Sequence, residues 1–375
     1  MMKKILKIYD LPILISLTLL PILSIICLPI YSYYQGVVWQ EIVMLFLGWF
    51  LAGTGITVGY HRLFAHRTFK TYPIIEWIYM ILGSVALQNT ILNWCSDHRR
   101  HHRKLDTEDD PYSITRGFFH AHIGWIVKKG DNSIKNVSDL KKKSCVKFQE
   151  KYYWYIALIL SFLFPLFIGY LYGRPLGGLL WGGVLRVTLV HHFTFFINSF
   201  CHFIGKRNYD ISTSARDSWI MALFTFGEGY HNFHHKFQWD YRNGIKWYNF
   251  DPSKWIIKFL SIFNIAYNLR KAPKHKIILA KIETVNKKIE NLKSYNLNHL
   301  YSQKIKEITN ETFKNIKLLK AIEYKNDTLK KSKKINDEMI MSLQRKKKIY
   351  EKELEESFDS LLMIFYSIKN QFKAI

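Results

Sequence analysis

Residues 11–30, LPILISLTLLPILSIICLPI, carry no charged side chain, and the uncharged run continues to Gln40 before Glu41 ends it. A helix needs roughly 20 apolar residues to cross a bilayer, so this stretch makes the chain a membrane protein. The competing reading is a cleaved leader, since Lys3, Lys4 and Lys7 precede the run. Against it, the run is long for a leader's apolar region and lacks a small-residue cleavage site. Outward from this stretch, residues 42–60, 77–96 and 152–172 are also uncharged, and 175–204 is interrupted only by Arg186. Hydropathy alone counts five spans.

The connecting segments reduce five to four. Residues 62–151 hold 16 Lys and Arg, whereas 31–40 hold none and the turn near Gly173 holds only Arg174. Positive charge concentrates on the cytoplasmic side, so both flanks of 77–96 are expected there, and that stretch is expected to be an interfacial or re-entrant helix. The expected fold is an all-α membrane protein. Its four transmembrane helices, at about 11–33, 40–60, 152–172 and 178–202, form two hairpins under a cytoplasmic helical cap. Both termini are expected in the cytoplasm, with a bacterial inner membrane or the endoplasmic reticulum as the host.

Of the 375 residues, 49% are hydrophobic and 16% aromatic, which excludes a wholly disordered chain. Cys27, Cys95, Cys145 and Cys201 form no CxxC pair, so neither a disulfide scaffold nor a zinc ribbon is offered. The net charge of +25 is shared by both ends of the chain, and residues 271–375 alone hold 24 Lys and Arg against 13 Asp and Glu. The expected division is a membrane domain, 1–273, and a Lys-rich tail, 274–375. In the tail, Ile282, Val285, Ile289 and Leu292 recur at 3, 4, 3 spacing, and Leu354, Phe358, Leu361 and Phe365 form a second stripe, predicting helix or coiled coil. Asn-rich stretches around Asn296 and Asn310 are expected to break it. The tail is either a solvated extension near anionic lipid or a docking arm for a reductant or for self-association. Tethered to a membrane, its basic charge does not imply nucleic acid.

Eight of the 15 His fall in three short words: His61 and His66 in HRLFAH, His98, His101 and His102 in HRRHH, and His231, His234 and His235 in HNFHH. On a helix, HxxHH places its imidazoles on one face, with the last two diverging enough to reach different ions. Neutral imidazole suits iron, copper, nickel or zinc. Any one of these His read alone is better explained as a surface or core residue, but the charge pattern brings all three words to one membrane face. Protonated rings beside Arg62, Arg67, Arg99, Arg100 and Arg103 would repel one another, and metal binding removes that conflict.

These words, with DPY and RGFFHAHIGW after the second, NSFCH, and WDYRNG after the third, resemble the integral-membrane fatty acyl desaturases of the stearoyl-CoA (Δ9) type over about residues 53–273. The resemblance implies a di-iron centre of nine His, the ninth being His202 of NSFCH, with Asn198 holding a metal-bound water. It implies one iron on His61, His66, His98, His102 and His234, and the other on His101, His202, His231 and His235. It implies further that Asn89, Trp94, Arg116, Lys128 and Lys129 line the substrate mouth. Phe237-Gln238-Trp239 departs from the family pattern, with Gln where Pro is common, and touches no expected ligand. His120, His122, His191 and His192 match no ligand word, and the last two are expected to be packing or supporting residues.

Removing hydrogens from an unactivated methylene needs an oxidant that side chains do not supply. An all-His shell is neutral, unlike carboxylate-rich di-iron bundles, and Asp97 and Glu228 are expected to orient ligand rings through the other nitrogen. A fatty chain needs a narrow apolar tunnel from the first two spans, where Leu45 and Trp49 share a face; Trp49 either shortens the accepted chain or only packs. With no HPGG haem word, Cys cluster or GxGxxG, electrons are expected from a separate cytochrome b5-like or ferredoxin-like protein. The expected activity is O2-dependent desaturation of fatty acyl-CoA, most simply cis-Δ9. The alternatives are a membrane fatty-acyl hydroxylase and a non-catalytic metal-binding or scaffold protein.

Overall fold

A computed structural model of the chain describes residues 10–128, 133–292, 299–331 and 337–371. Its first six long helices are α1 (Leu11–Gln35), α2 (Trp39–Ala65), α3 (Pro73–Ser84), α4 (Ile91–Lys104), α5 (Ser144–Leu171) and α6 (Pro175–Phe203). Among the described residues, α1, α2, α5 and α6 are the four long and apolar enough to cross a membrane. α5 starts eight residues before the uncharged run, and α2 continues past it to Ala65 through wide π-helical turns from Gly55. Lys3, Lys4 and Lys7 lie outside the described residues.

The turns at the far ends of the two hairpins are tied by one side chain. Gly36 (φ 68°) follows α1 and Gly173 (φ 77°) follows α5. Arg174 donates to the carbonyls of Gln35 and Gly36 at 2.8 Å each and meets buried Glu41 at 2.9 Å. Arg186, the charge that interrupts the last apolar run, is equally committed. Its guanidinium donates to the carbonyls of Gly182, Val85 and Ser161 at 3.1, 2.6 and 3.2 Å, pinning the end of α3 and the middle of α5 to α6.

The stretch expected to be one interfacial or re-entrant helix, 77–96, is divided between two. α3 begins at Pro73, whose ring sets the first turn, and spans 12 residues, too few to cross. It packs on α2 so closely that a methyl group at Gly55 would collide with the Leu82 carbonyl carbon. The chain then breaks at Leu87 (φ 54°) and Asn89 (φ 76°), left-handed positions no helix accommodates. Thr90 restarts it, its hydroxyl accepting from the Asn93 amide to cap α4.

Three shorter helices follow, α7 (Trp219–Phe224), α8 (His231–Lys236) and α9 (Pro252–Ile262). A two-stranded antiparallel ribbon pairs β1 (Lys70–Thr71) with β2 (Ala266–Tyr267), Lys70 facing Tyr267. All of these belong to a compact unit of residues 1–206 and 213–271.

A second unit comprises 207–212 and 272–375. It contains α10 (Lys274–Leu292), α11 (His299–Lys331) and α12 (Asp337–Gln371), with α12 packed on both others. Its core joins Ile282, Val285 and Ile289 to Leu319, Leu354 and Leu361, with Leu292, Phe358 and Phe365 against it. Both apolar stripes seen in the sequence thus face one core. The break expected at Asn310 does not occur: Asn310 sits exposed inside α11, where its helix propensity is a minor penalty beside the packing of Ile316 and Leu319. Asn296 lies outside the described residues.

Candidate metal centre

The end of α2 carries His61, and His66 follows it, its amide bonded to the His61 carbonyl at 3.0 Å. α4 supplies His98, His101 and His102, the end of α6 supplies His202, and α8 supplies His231, His234 and His235. The nine rings fall into two groups. His61, His66, His98, His102 and His234 form one, His101, His202, His231 and His235 the other, with the ligating nitrogens of each group within 4.8 Å of one another. This is the division that the family resemblance implied.

The ring nitrogens themselves test whether metal fits. His234 Nε2 lies 3.0 Å from Nε2 of both His61 and His102. His231 Nε2 lies 3.0 Å from Nε2 of both His202 and His235. A single nitrogen cannot satisfy two others with one proton, whereas inward lone pairs around a cation are satisfied together. Burial, helped by the neighbouring rings and arginines, lowers the pKa values of His66, His98, His102, His234 and His235 well below 6.5 and that of His231 to about 3. These six rings are therefore in the neutral, ligating form at neutral pH. The donor set fits metal ions.

Several of the outward nitrogens lie against protein oxygens, as those of ligand rings generally do. His61 Nδ1 lies 3.0 Å from Glu228, whose other oxygen accepts from Arg62 at 3.0 Å. Arg62 also meets Asp251 at 2.9 Å, and Asn243 donates to Glu228. Burial alone raises the Glu228 pKa, but His61 and Arg62 outweigh it and hold the carboxyl at about 2. A methyl group at Gly227 (φ 95°) would collide with Asp251, so glycine permits this approach. Asp97, on α4, pairs with Arg100 at 3.0 Å, one turn along its own helix. The carboxylate on His101 is Asp110, at 2.8 Å. Tyr112 meets His98 Nδ1 at 3.2 Å.

Beside the first group, Trp94 stacks on His98 with ring centroids 4.8 Å apart and donates to Gln88. Gln88 in turn donates to Thr194 on α6 at 2.9 Å. Thr194 lines a narrow cavity between α2 and α6 with Trp49, Gly53, Thr57, Phe193 and Phe226. Trp49 closes on Phe226 and Phe193, centroids 4.7 and 5.9 Å away, while Leu45 is buried one turn earlier. Gln88 and Thr194 escape recognition in the sequence because single polar residues in apolar runs carry no spacing pattern.

The remaining expected site residues spread more widely. Asn198 lies four residues before His202 on α6. Asn89 is engaged locally, its side-chain oxygen accepting from the Thr90 amide and its own backbone amide donating to the Tyr153 hydroxyl at 2.8 Å. Arg116 pairs with Glu108, Lys128 is exposed, and Lys129 is outside the described residues. His191 donates to the Ala86 carbonyl at 3.0 Å, and His192 faces His122 at 3.1 Å. His120 meets the Pro111 carbonyl.

The family model for fatty acid desaturases matches residues 38–261. The chain is 44% identical over 230 residues to a probable acyl-CoA desaturase of Schizosaccharomyces pombe, covering 60% of this chain and 48% of that one. It is 40% identical over 248 residues to acyl-CoA desaturase 1 of Saccharomyces cerevisiae, covering 65% and 49%. An sn-1 stearoyl-lipid 9-desaturase of Anabaena variabilis is 33% identical over 235 residues, covering 62% and 84%. The chain spans about half the length of the two yeast relatives it matches.

Proposed function

The chain belongs to the fatty acid desaturase family, and from that premise we propose that it introduces a cis double bond, at the Δ9 position, into a saturated fatty acyl-CoA. The observation that carries the proposal is the convergence of nine imidazoles, in two groups, beside an apolar cavity whose wall is hydrogen-bonded through Gln88 to Trp94, which stacks on His98. Two hydrogens leave the acyl chain, two electrons and two protons come from outside, and O2 becomes two waters. The donor is a separate cytochrome b5-like or ferredoxin-like protein.

Two iron ions held by the nine His would supply the O2 chemistry. Around them the chain's own groups have defined tasks. Glu228 and Asp110 keep the protons of His61 and His101 on Nδ1, leaving Nε2 free to ligate. Asn198 holds a water at the centre. Trp49, Phe193 and Phe226 shape the cavity that orients the chain and excludes water. Asn89, Trp94, Arg116, Lys128 and Lys129 serve the substrate mouth, the cations meeting phosphates. The basic loops support a cytoplasmic position for this face and both termini. The relatives' names support CoA in the yeasts and lipid in the cyanobacterium as carrier; the higher identities favour CoA.

The test is the fatty-acid profile, with double bonds located by mass spectrometry, of cells expressing the protein or its His234→Ala variant beside a compatible electron donor. New Δ9 cis monoenes in the unmodified protein alone are expected. Hydroxylated chains would transfer the assignment to a hydroxylase, and an unchanged profile would sink the desaturase.

A further inference from the structure

Two ligand rings of the second group, His101 on α4 and His202 on α6, converge on a single loop, residues 105–113. His101 meets Asp110 directly. His202 does so at one remove: its Nδ1 lies 2.7 Å from the Ser214 hydroxyl, which is bonded to Asp106 Oδ1. The second Asp106 oxygen accepts from the Ser214 backbone amide at 2.8 Å, and the Asp106 amide donates to Asp110 Oδ2 at 3.2 Å. Asp106 has φ 62°. An aspartate tolerates that left-handed backbone better than most residues, at some strain, and strain of this kind collects at functional sites.

We propose that Asp106 is a positioning residue for the second metal, acting through Ser214 to fix the tautomer and orientation of His202; this rests on the di-metal reading above. The directions of the hydrogen bonds make the case. His202 Nε2 faces His231 inside the group, so ligation requires its proton on Nδ1. That N–H donates to the Ser214 oxygen, and the hydroxyl proton then has to go to an acceptor. A carboxylate accepts and never donates, so Asp106 holds the relay in the one direction compatible with ligation. Its other oxygen is taken by the Ser214 amide, which prevents the carboxylate from turning away. Because the same loop presents Asp110 to His101, rings from two distant helices are set by one support.

An amide at position 106 is the sharpest probe, since it is isosteric. If its oxygen accepts the Ser214 amide, its NH2 points at the hydroxyl and reverses the relay, placing the proton on the wrong nitrogen of His202. If it turns over, its NH2 confronts the Ser214 N–H. Either way the support fails without loss of volume.

The experiment compares full-length protein with Asp106→Asn, Ser214→Ala and Ser214→Thr, purified in detergent and titrated with ferrous iron under anaerobic conditions, with metal per chain, Mössbauer spectra and thermal unfolding as readouts. The expected result is two irons in the unmodified protein. Asp106→Asn and Ser214→Ala should weaken one of the two sites about 10–100-fold, the range for removing such a support, leave the other filled, and perturb one of two Mössbauer components. Ser214→Thr, which keeps the hydroxyl, should retain both. Two unweakened irons in Asp106→Asn and Ser214→Ala would overturn the inference while leaving the desaturase reading intact. So would equal loss of both irons, with lowered melting temperature, in all three variants, since that marks a merely structural loop. Fewer than two irons in the unmodified protein would fail the di-metal reading itself and the inference with it.

Discussion

Asp110 holds His101: its Oδ1 lies 2.8 Å from the ring's Nδ1, and both side chains are about 1% exposed. With water excluded, the carboxylate's only rival acceptors are protein groups, so the ring cannot exchange partners without moving the loop. Asp110→Asn keeps the shape and removes the negative charge. Metal affinity at the second group is expected to fall about 10–100-fold, with desaturation falling in step, and metal analysis of the purified variant checks it. An Asn variant that retains both metals and full activity would show that Asp110 shapes the loop only.

His122 sits near the end of α6 without belonging to either metal group. Burial, with a smaller contribution from His192, lowers its pKa to about 4. Between pH 6.5 and 4 the unfolded ring takes up a proton that the folded ring refuses, so stability rises with pH through that window and is lost on acidification. Above 6.5 both forms are neutral and the effect vanishes. His122→Phe removes the titration along with the contacts to Ser199 and His192. The stability advantage of the unmodified protein over the variant should therefore shrink from pH 7 to pH 5, modestly, because the ring is only half-buried. A melting-temperature gap independent of pH would contradict this.

The contrast between His202 and Asp110 shows what a sequence discloses about such a site. His231, His234 and His235 group together on spacing alone because helical geometry converts spacing directly into a shared face. Asp110 and Ser214 act through irregular loops, where sequence spacing has no fixed relation to distance. Asp110 lies nine residues from the His101 it meets, a spacing that no helix period marks. The division of 77–96 at Leu87 and Asn89 is hidden for a similar reason: left-handed positions at non-glycine residues leave little mark on hydropathy. Asn310 errs in the opposite direction, a polar residue whose local preference loses to the apolar stripe around it.

Glu41 on α2 is fully buried and meets Arg174, which, from the turn after α5, also grips two carbonyls of the turn after α1. Removing the cation strands a buried carboxylate, and breaking such a pair costs about 3 kcal/mol or more. Arg174→Ala should thus lower unfolding stability in detergent by about that amount, and adding Glu41→Gln should restore part of it by removing the uncompensated charge. If the double variant were no more stable than the single one, the loss would lie in the turn carbonyls rather than in the ion pair.

Trp49 stands where α2 faces α6, its ring against Phe226 and Phe193 at the cavity wall. If the acyl chain occupies this cavity, the indole limits its reach, and Trp49→Ala opens space that a longer chain can fill. A methylene in an apolar pocket is worth roughly 1–3 kcal/mol in discrimination, so the preference for a substrate two carbons longer should rise by at least about tenfold in direct competition between paired chain lengths. The same change removes buried aromatic surface and should lower stability by about 2 kcal/mol, less than for a wholly buried Trp. The two effects separate the roles: a lost melting temperature with an unchanged chain-length ratio would make Trp49 a packing residue, because packing alone has no means of distinguishing one acyl chain from another.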